Sequence, residues 1–350
     1  MSGPPLLRIR DLHARFHTPD GDVRAVDGVD LDVSAGERVG IVGESGSGKS
    51  ALMLAILGLL PKGAASMTAE AVEFEGRDLR RLSREELRRL RGDRISMVFQ
   101  DPLTSLNPYL TIGDQVGEPL VVHRGLGLRE ARRRAAALLA EVGIPDADRR
   151  VLSYPHQVSG GMRQRAAIAM ALACGPALVI ADEPTTALDV TVQVQILDLL
   201  RRIQEARGTA FLLISHDFGV VARFCGRVDV MYAGRIVERS PAAELFGWSA
   251  HPYTRALLRL ARPSGPLEGP GSASGRRLPT LRGQPPDRIR RSPGCPFAPR
   301  CGIAMDRCLQ EEPRLEPVAA SPGRERACFA PLPLPPEPPE PPEPSETSAP

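Results

Sequence analysis

From Leu7 to Val33 apolar and polar positions alternate, most cleanly in Leu7–Arg10 and Val29–Val33, with Thr18, Pro19, Asp20 and Gly21 between the halves. Period-two alternation around a Pro-Asp-Gly turn predicts two antiparallel strands. Val72–Glu75 repeats the pattern and stops at the turn residue Gly76. Elsewhere the apolar residues run on almost unbroken, in Val39–Val42, Ile95–Phe99, Leu178–Ala181 and Phe211–Ile214. Such runs predict strands covered on both faces of a mainly parallel sheet. Helical spacing over 51–57, 129–142, 161–173 and 191–206 sets helices between them. Strands alternating with helices define an α/β sandwich.

Past Glu238 the pattern fades. Pro and Gly crowd residues 262–299, and 331–350 are mostly Pro, Glu and Ser. That tail has too little apolar surface to fold and is expected to be disordered. The chain therefore divides into a main domain over 1–250, a small Cys- and Pro-rich extension over 251–330, and the tail. At 350 residues, 42% hydrophobic and 25% charged, it has the composition of an ordinary globular protein. A net charge of +3 gives no argument for nucleic acid or a membrane surface. No signal-like core opens the chain, and no apolar stretch is long enough to span a bilayer. The expectation is an intracellular protein that works at a membrane, if at all, from outside it.

The chemistry concentrates at Gly43-Glu44-Ser45-Gly46-Ser47-Gly48-Lys49-Ser50, which has the form G-x-x-x-x-G-K-S between a strand and a helix. Glycines let successive N–H groups turn inward around an anion, and the following helix adds its positive end. Lys49 would reach the outer phosphates of a nucleotide and the Ser50 hydroxyl would ligate Mg²⁺. The chain has two lysines, Lys49 and Lys62, and otherwise uses arginine. A lysine kept at this position suits a compact, flexible charge on phosphate.

Asp182 and Glu183 end a second apolar strand, where Asp182 can join the Mg²⁺ shell and Glu183 can polarise water. His216 follows another strand directly, within reach of a γ-phosphate. Ser159-Gly160-Gly161 opens a helix and makes a second anion-binding end, more than a hundred residues from the first. Two such ends in one chain suggest a dimer that buries nucleotide between its subunits.

With Gln100 and Asp189, these motifs stand in the order found in ABC-transporter ATPase subunits, and the chain resembles that family over about residues 6–250. The resemblance implies a P-loop ABC-type ATPase domain, with a mixed sheet core, an antiparallel β subdomain and a helical subdomain. It implies ATP and Mg²⁺ as cofactors. Phe16 would stack on adenine, although the family more often has Tyr there. Gln100 would touch Mg²⁺ and water and relay the nucleotide state to a membrane subunit. Ser159, Gly160 and Gly161 would contact the partner subunit's ATP; Val158 and Met162 depart from the commonest wording of that signature. Asp189 would bridge the dimer and His216 would act as the switch histidine.

Phe99–Pro108, Tyr154–Gln157 and His251-Pro252-Tyr253-Thr254 further resemble the peptide-importer branch. That branch imports dipeptides, oligopeptides and, in some members, nickel. It uses an extracytoplasmic binding protein, two permease subunits and two distinct ATPase subunits. The expected place is then the cytoplasmic face of the cell membrane. A soluble cassette ATPase of translation or repair fits less well, since there is one phosphate loop and only 58 residues lie between Gln100 and Ser159. A regulator that uses ATP without transport is a further alternative.

Cys295, Cys301, Cys308 and Cys328 are separated by five, six and nineteen residues, unlike the close pairs of zinc ribbons. Disulfides do not suit an intracellular chain. Four thiolates can hold a [4Fe–4S] cluster, whose ligand spacing varies more; zinc or free thiols remain the alternatives. The stretch Gly294–Cys301 resembles the cysteine-rich tail of peptide-importer ATPases, some members of which bind a cluster there. Cys174 and Cys225 lie on apolar helical faces and read as small core residues.

Overall fold

The computed structural model describes residues 3–100, 105–185, 188–261, 281, 283–290, 293–319 and 321–334. Asp101–Thr104, Thr186 and Ala187, most of the Pro/Gly-rich stretch and residues 335–350 of the expected disordered tail lie outside them.

The alternating N-terminal segment forms β1 (Leu7–Thr18) and β2 (Gly21–Val33), paired antiparallel from Leu7↔Val33 to Thr18↔Gly21. After β3 (Arg38–Val42), the strands β4 (Ala65–Thr68), β5 (Ala71–Phe74) and β6 (Arg77–Asp78) complete this antiparallel sheet. The second sheet takes β3 together with β7 (Ile95–Val98), β8 (Leu178–Asp182), β9 (Ala210–Ser215), β10 (Arg227–Tyr232) and β11 (Arg235–Pro241). Its centre, in the order β10-β3-β9-β8-β7, is parallel.

Successive residues of these strands serve two cores. Leu178 and Ile180 pack with Ile41, Leu212 and Ile214 toward the β1–β2 arm. Val179 and Ala181 pack with Phe211, Leu213 and Val230 on the other face, under the helices. A strand whose side chains are all covered needs no polar alternation, which is why these segments read as continuous apolar runs.

The helices expected at 51–57, 129–142, 161–173 and 191–206 are Lys49–Ile56, Leu128–Glu141, Gly160–Leu172 and Val190–Arg207. A further helix, Ile112–Arg124, was not legible because Gly113, Gly117 and Pro119 dilute its pattern. It is fixed at its start by Thr111, whose hydroxyl accepts the Asp114 N–H. Together with Leu128–Glu141 and Gly160–Leu172 it forms a helical subdomain between β7 and β8.

Beyond the helix Pro252–Ala261 the extension returns to the main sheet. Two short strands, β12 (Glu316–Pro317) and β13 (Glu325–Arg326), continue it through the β13–β11 pairing. Two-residue strands carry no readable alternation. A fully buried Arg324–Glu238 ion pair at 2.9 Å lies beside them, with the Arg324 guanidinium 3.7 Å from the centre of the Trp248 ring. The extension thus shares its sheet and a buried charge pair with the cassette.

Candidate nucleotide site

Four parallel strands deliver their C-terminal ends to one place: β3 leads into the phosphate loop, β7 to Gln100, β8 to Asp182 and Glu183, and β9 to His216. Ligands of open α/β sheets sit at this edge. Gly48, at φ 110°, closes the loop and begins the following helix. A Cβ there would lie 2.1 Å from the Ala25 carbonyl oxygen, and one on Gly43 would lie 2.2 Å from that of Met231. The outer side of the loop is thereby pressed onto β2 and β10, and only glycine permits that approach.

Lys49 is buried, with Nζ donating to the Gly43 and Glu44 carbonyl oxygens at 2.8 Å each. Burial lowers its pKa, opposed by the Glu183 and Asp182 carboxylates. Ser50 Oγ donates to Asp182 Oδ2 at 3.2 Å, and burial raises the pKa of that carboxyl. A hydroxyl and a buried carboxylate side by side fit a small oxygen-loving cation, so Ser50 and Asp182 are the residues that would hold Mg²⁺. Bound there, Mg²⁺ would neutralise charge on the phosphates.

Glu183 sits at φ 46°, the left-handed region, at a cost of about 1–3 kcal/mol for a residue with a side chain. Its N–H donates to the Ile214 carbonyl on β9. Both carboxylate oxygens are engaged: Gln100 Nε2 donates to Oε2 and His216 Nδ1 to Oε1, each at 2.9 Å. An ionised carboxylate only accepts, so Nδ1 carries the imidazole proton in this contact. A carboxylate held this way is oriented for water.

A second group forms at the helical subdomain. Ser159 caps the helix Gly160–Leu172 by accepting the Met162 N–H, and Asp189 caps Val190–Arg207 by accepting the Val192 N–H. The two helix starts touch, since a Cβ on Gly161 would meet Val192 at 3.1 Å; one on Gly160 would meet nothing within 4 Å. Phe16, on β1 opposite Val23 and Ala65, is half-buried against the arm's core.

Sequence reasoning missed three residues at the phosphate loop. Tyr253 OH accepts the Glu44 N–H at 2.9 Å, Arg300 Nη1 and Nη2 donate to the Glu44 carboxylate at 2.8 and 3.1 Å, and Arg288 Nη2 donates to the Ser47 carbonyl at 2.7 Å. All three come from beyond residue 250. The His-Pro-Tyr stretch was the one available signal, though it points to a branch and not to a contact.

The extension's cysteines Cys295, Cys301, Cys308 and Cys328 line one small, mostly apolar pocket with His251, Phe297 and Phe329. All six cysteines are free thiols. Burial pushes Cys295 up to about 11 and also raises Cys328. Among the described residues no group of three or more His, Cys, Asp or Glu side chains is arranged to hold a metal ion. Cys174 and Cys225 are buried, as expected of core residues.

A phosphate loop, an acidic strand end and a flanking histidine on this sheet define an ATPase cassette. Residues 26–186 match the ABC transporter family, and residues 237–308 match the oligopeptide/dipeptide transporter C-terminal region. The oligopeptide transport ATP-binding protein OppD of Salmonella typhimurium is 48% identical over 327 residues, covering 93% of this chain and 94% of that one. The dipeptide transport ATP-binding protein DppD of Bacillus subtilis is 48% identical over 308 residues, covering 87% and 88%. A dimeric ATP-binding cassette in a post-hydrolysis state with ADP and phosphate superposes with a TM-score of 0.60 at 30% identity, covering 67% of this chain and 98% of that one. The chain belongs to the ATP-binding subunits of ABC peptide transporters. Among the described residues no helix is long and apolar enough to cross a membrane.

Proposed function

We propose that this chain hydrolyses ATP and thereby drives import of di- or oligopeptides through two permease subunits, as a peripheral protein on the cytoplasmic face of the cell membrane. The observation that carries the reading is Glu183, held between Gln100 and His216 next to Lys49, Ser50 and Asp182. In this reading the loop residues Gly43–Ser50 cradle the phosphates, Phe16 stacks on adenine, and Glu183 polarises the attacking water. His216 contacts the γ-phosphate and Gln100 senses it beside Mg²⁺.

Ser159, Gly160, Gly161 and Asp189 would serve the nucleotide of a second, different ATPase subunit. The open space beside Gly160 leaves room for a facing molecule. Tyr109, 87% exposed, and the exposed Leu110 follow Gln100 closely and offer the apolar contact a permease needs. An extracytoplasmic binding protein would deliver the peptide. The reading is tested by co-purifying the chain with the permeases and measuring uptake of labelled peptide into vesicles. Nickel uptake without peptide uptake would redirect it to the metal-importing members, and an active chain with no permease partner would redirect it to a soluble ATPase.

A second reading concerns the cysteine pocket, where Cys295, Cys301, Cys308 and Cys328 would hold a [4Fe–4S] cluster. Its support is the convergence of four cysteines on one pocket. Against it stands the lack of a group arranged to hold a metal ion. Binding would draw the thiols together and release their protons. Chain purified without oxygen would be brown, with about four irons per chain, and Cys301→Ser would bleach it. Colourless protein with zinc, or with no metal, would end this reading and leave the ATPase untouched.

A further inference from the structure

The phosphate loop is gripped at three points from the C-terminal extension, one of them on its opening helix. Glu44, the first variable residue of the loop, is tied through its backbone N–H to Tyr253 OH and through its carboxylate to both terminal nitrogens of Arg300. The Arg300 side chain is 3% exposed and its guanidinium carbon lies 5.8 Å from the centre of the Tyr232 ring. Phe297 meets the Tyr232 and Tyr253 rings edge-on at 5.3 and 5.4 Å, so the whole group is packed as well as hydrogen-bonded. On the side where the loop presses onto β2, Arg288 Nη2 donates to the Ser47 carbonyl at 2.7 Å and to that of Ala25 at 3.4 Å. Arg288 is fixed in turn, because its carbonyl accepts the Arg24 N–H.

Arg300 and Arg288 engage groups that nucleotide does not require. The loop binds phosphate with the N–H groups that face inward, whereas Arg300 takes the Glu44 carboxylate and Arg288 the Ser47 carbonyl; Tyr253 takes one loop N–H, that of Glu44. The Glu44 carboxylate is the one part of the loop with the wrong charge for a triphosphate, and Arg300 answers it with a two-pronged, charge-assisted pair. Without Arg300 a half-buried negative charge would stand beside the phosphates, and the start of the loop would be held from the extension by Tyr253 alone.

We propose that Arg300, with Tyr253 and Arg288, is a positioning residue of the nucleotide site: the C-terminal extension holds the phosphate loop in its binding shape and neutralises Glu44, thereby setting the affinity for MgATP. The proposal rests on the ATPase reading for its effect on affinity, but the grip itself exists without nucleotide and is tested that way first.

The test uses the full chain with Arg300→Met, which keeps length and packing but removes the charge. Amide exchange of the segment 43–50 is followed without nucleotide, and it rises several-fold in the variant if the extension holds the loop. MgATP binding then weakens about tenfold, appearing in KM and not in kcat when the complex is assembled. The double variant Glu44→Gln/Arg300→Met recovers most of that affinity, because the unpaired carboxylate is gone. A merely structural role would leave the double variant no better than the single one. Unchanged exchange in Arg300→Met, or no recovery on neutralising Glu44, overturns the proposal. Faster exchange in a chain whose wild type ignores MgATP would keep the grip but overturn the ATPase reading and, with it, the effect on affinity.

Discussion

His216 Nδ1 stands 2.9 Å from Glu183 Oε1, and the two residues reach each other across adjacent strand ends of one parallel sheet. Gln100 takes the other oxygen of the same carboxylate. The strained backbone at Glu183 aims its side chain between them, so the carboxylate is placed before any substrate arrives. His216 is left with Nε2, which accepts a hydrogen bond while the ring is neutral and can donate one to a phosphate only as the imidazolium.

Changing His216 to Ala should therefore impair hydrolysis more than binding. With one hydrogen bond gone the carboxylate still has Gln100, but its direction is no longer fixed. Turnover should fall on the order of 10²-fold or more with the KM for ATP little altered, as for loss of a group acting mainly in the transition state. Steady-state kinetics of the assembled complex would read both. A large rise in KM with unchanged kcat would make His216 a binding residue.

The fully buried Arg324–Glu238 pair is one of the contacts that dock the extension. Glu238 also accepts the Ala250 and His251 N–H groups, at 2.7 and 3.0 Å, so its carboxylate is surrounded by donors from the chain that follows β11. Arg324→Met would leave that carboxylate buried without its cation, and burial already raises its pKa. The expected loss is about 3–5 kcal/mol, as for breaking one side of a buried pair. Denaturant unfolding measures it, and adding Glu238→Gln to the same chain should restore part of it. A wild-type midpoint in Arg324→Met would show that the pair contributes nothing.

Acid should weaken the fold through His251. This imidazole is fully buried, accepts the Tyr253 N–H on Nδ1, and is pushed down by burial to about 3. The unfolded chain binds the same proton near ~6.5. Between these values unfolding takes up a proton, so stability falls as the pH falls, by at most about 1.4 kcal/mol per unit. Above ~6.5 His251 gives no slope, being neutral in both states. Unfolding midpoints from about pH 7 to about pH 4 should drop more steeply for the wild-type chain than for His251→Gln. Identical slopes would mean that His251 is protonated in the folded state.

Much of this site could be read from the sequence because its parts are contiguous. Gly43–Ser50 places eight residues on one turn, and Asp182 and Glu183 are neighbours at a strand end. The β1–β2 hairpin was equally open, since one face of each strand is solvated and alternation records it. Other features left no local trace. The left-handed backbone at Glu183 is imposed by its surroundings, as glutamate has no preference for it. The Glu44–Arg300 pair joins residues 256 positions apart, and nothing in either neighbourhood names the other. The helix Ile112–Arg124 was hidden because its glycines and proline lower local propensity, and tertiary packing makes up the difference.

Glu183→Gln bears most directly on the claim that this site hydrolyses ATP for transport. The change keeps the side chain's shape and size, and it removes the carboxylate proposed to orient water. Phosphate release should be measured in a single turnover, with the chain assembled with the permeases and the second ATPase subunit proposed above. The expected result is retained ATP binding, an accumulated closed pair of ATPase subunits, and release slowed on the order of 10²–10⁴-fold at the altered site. Phosphate release at the wild-type rate from that site would contradict it.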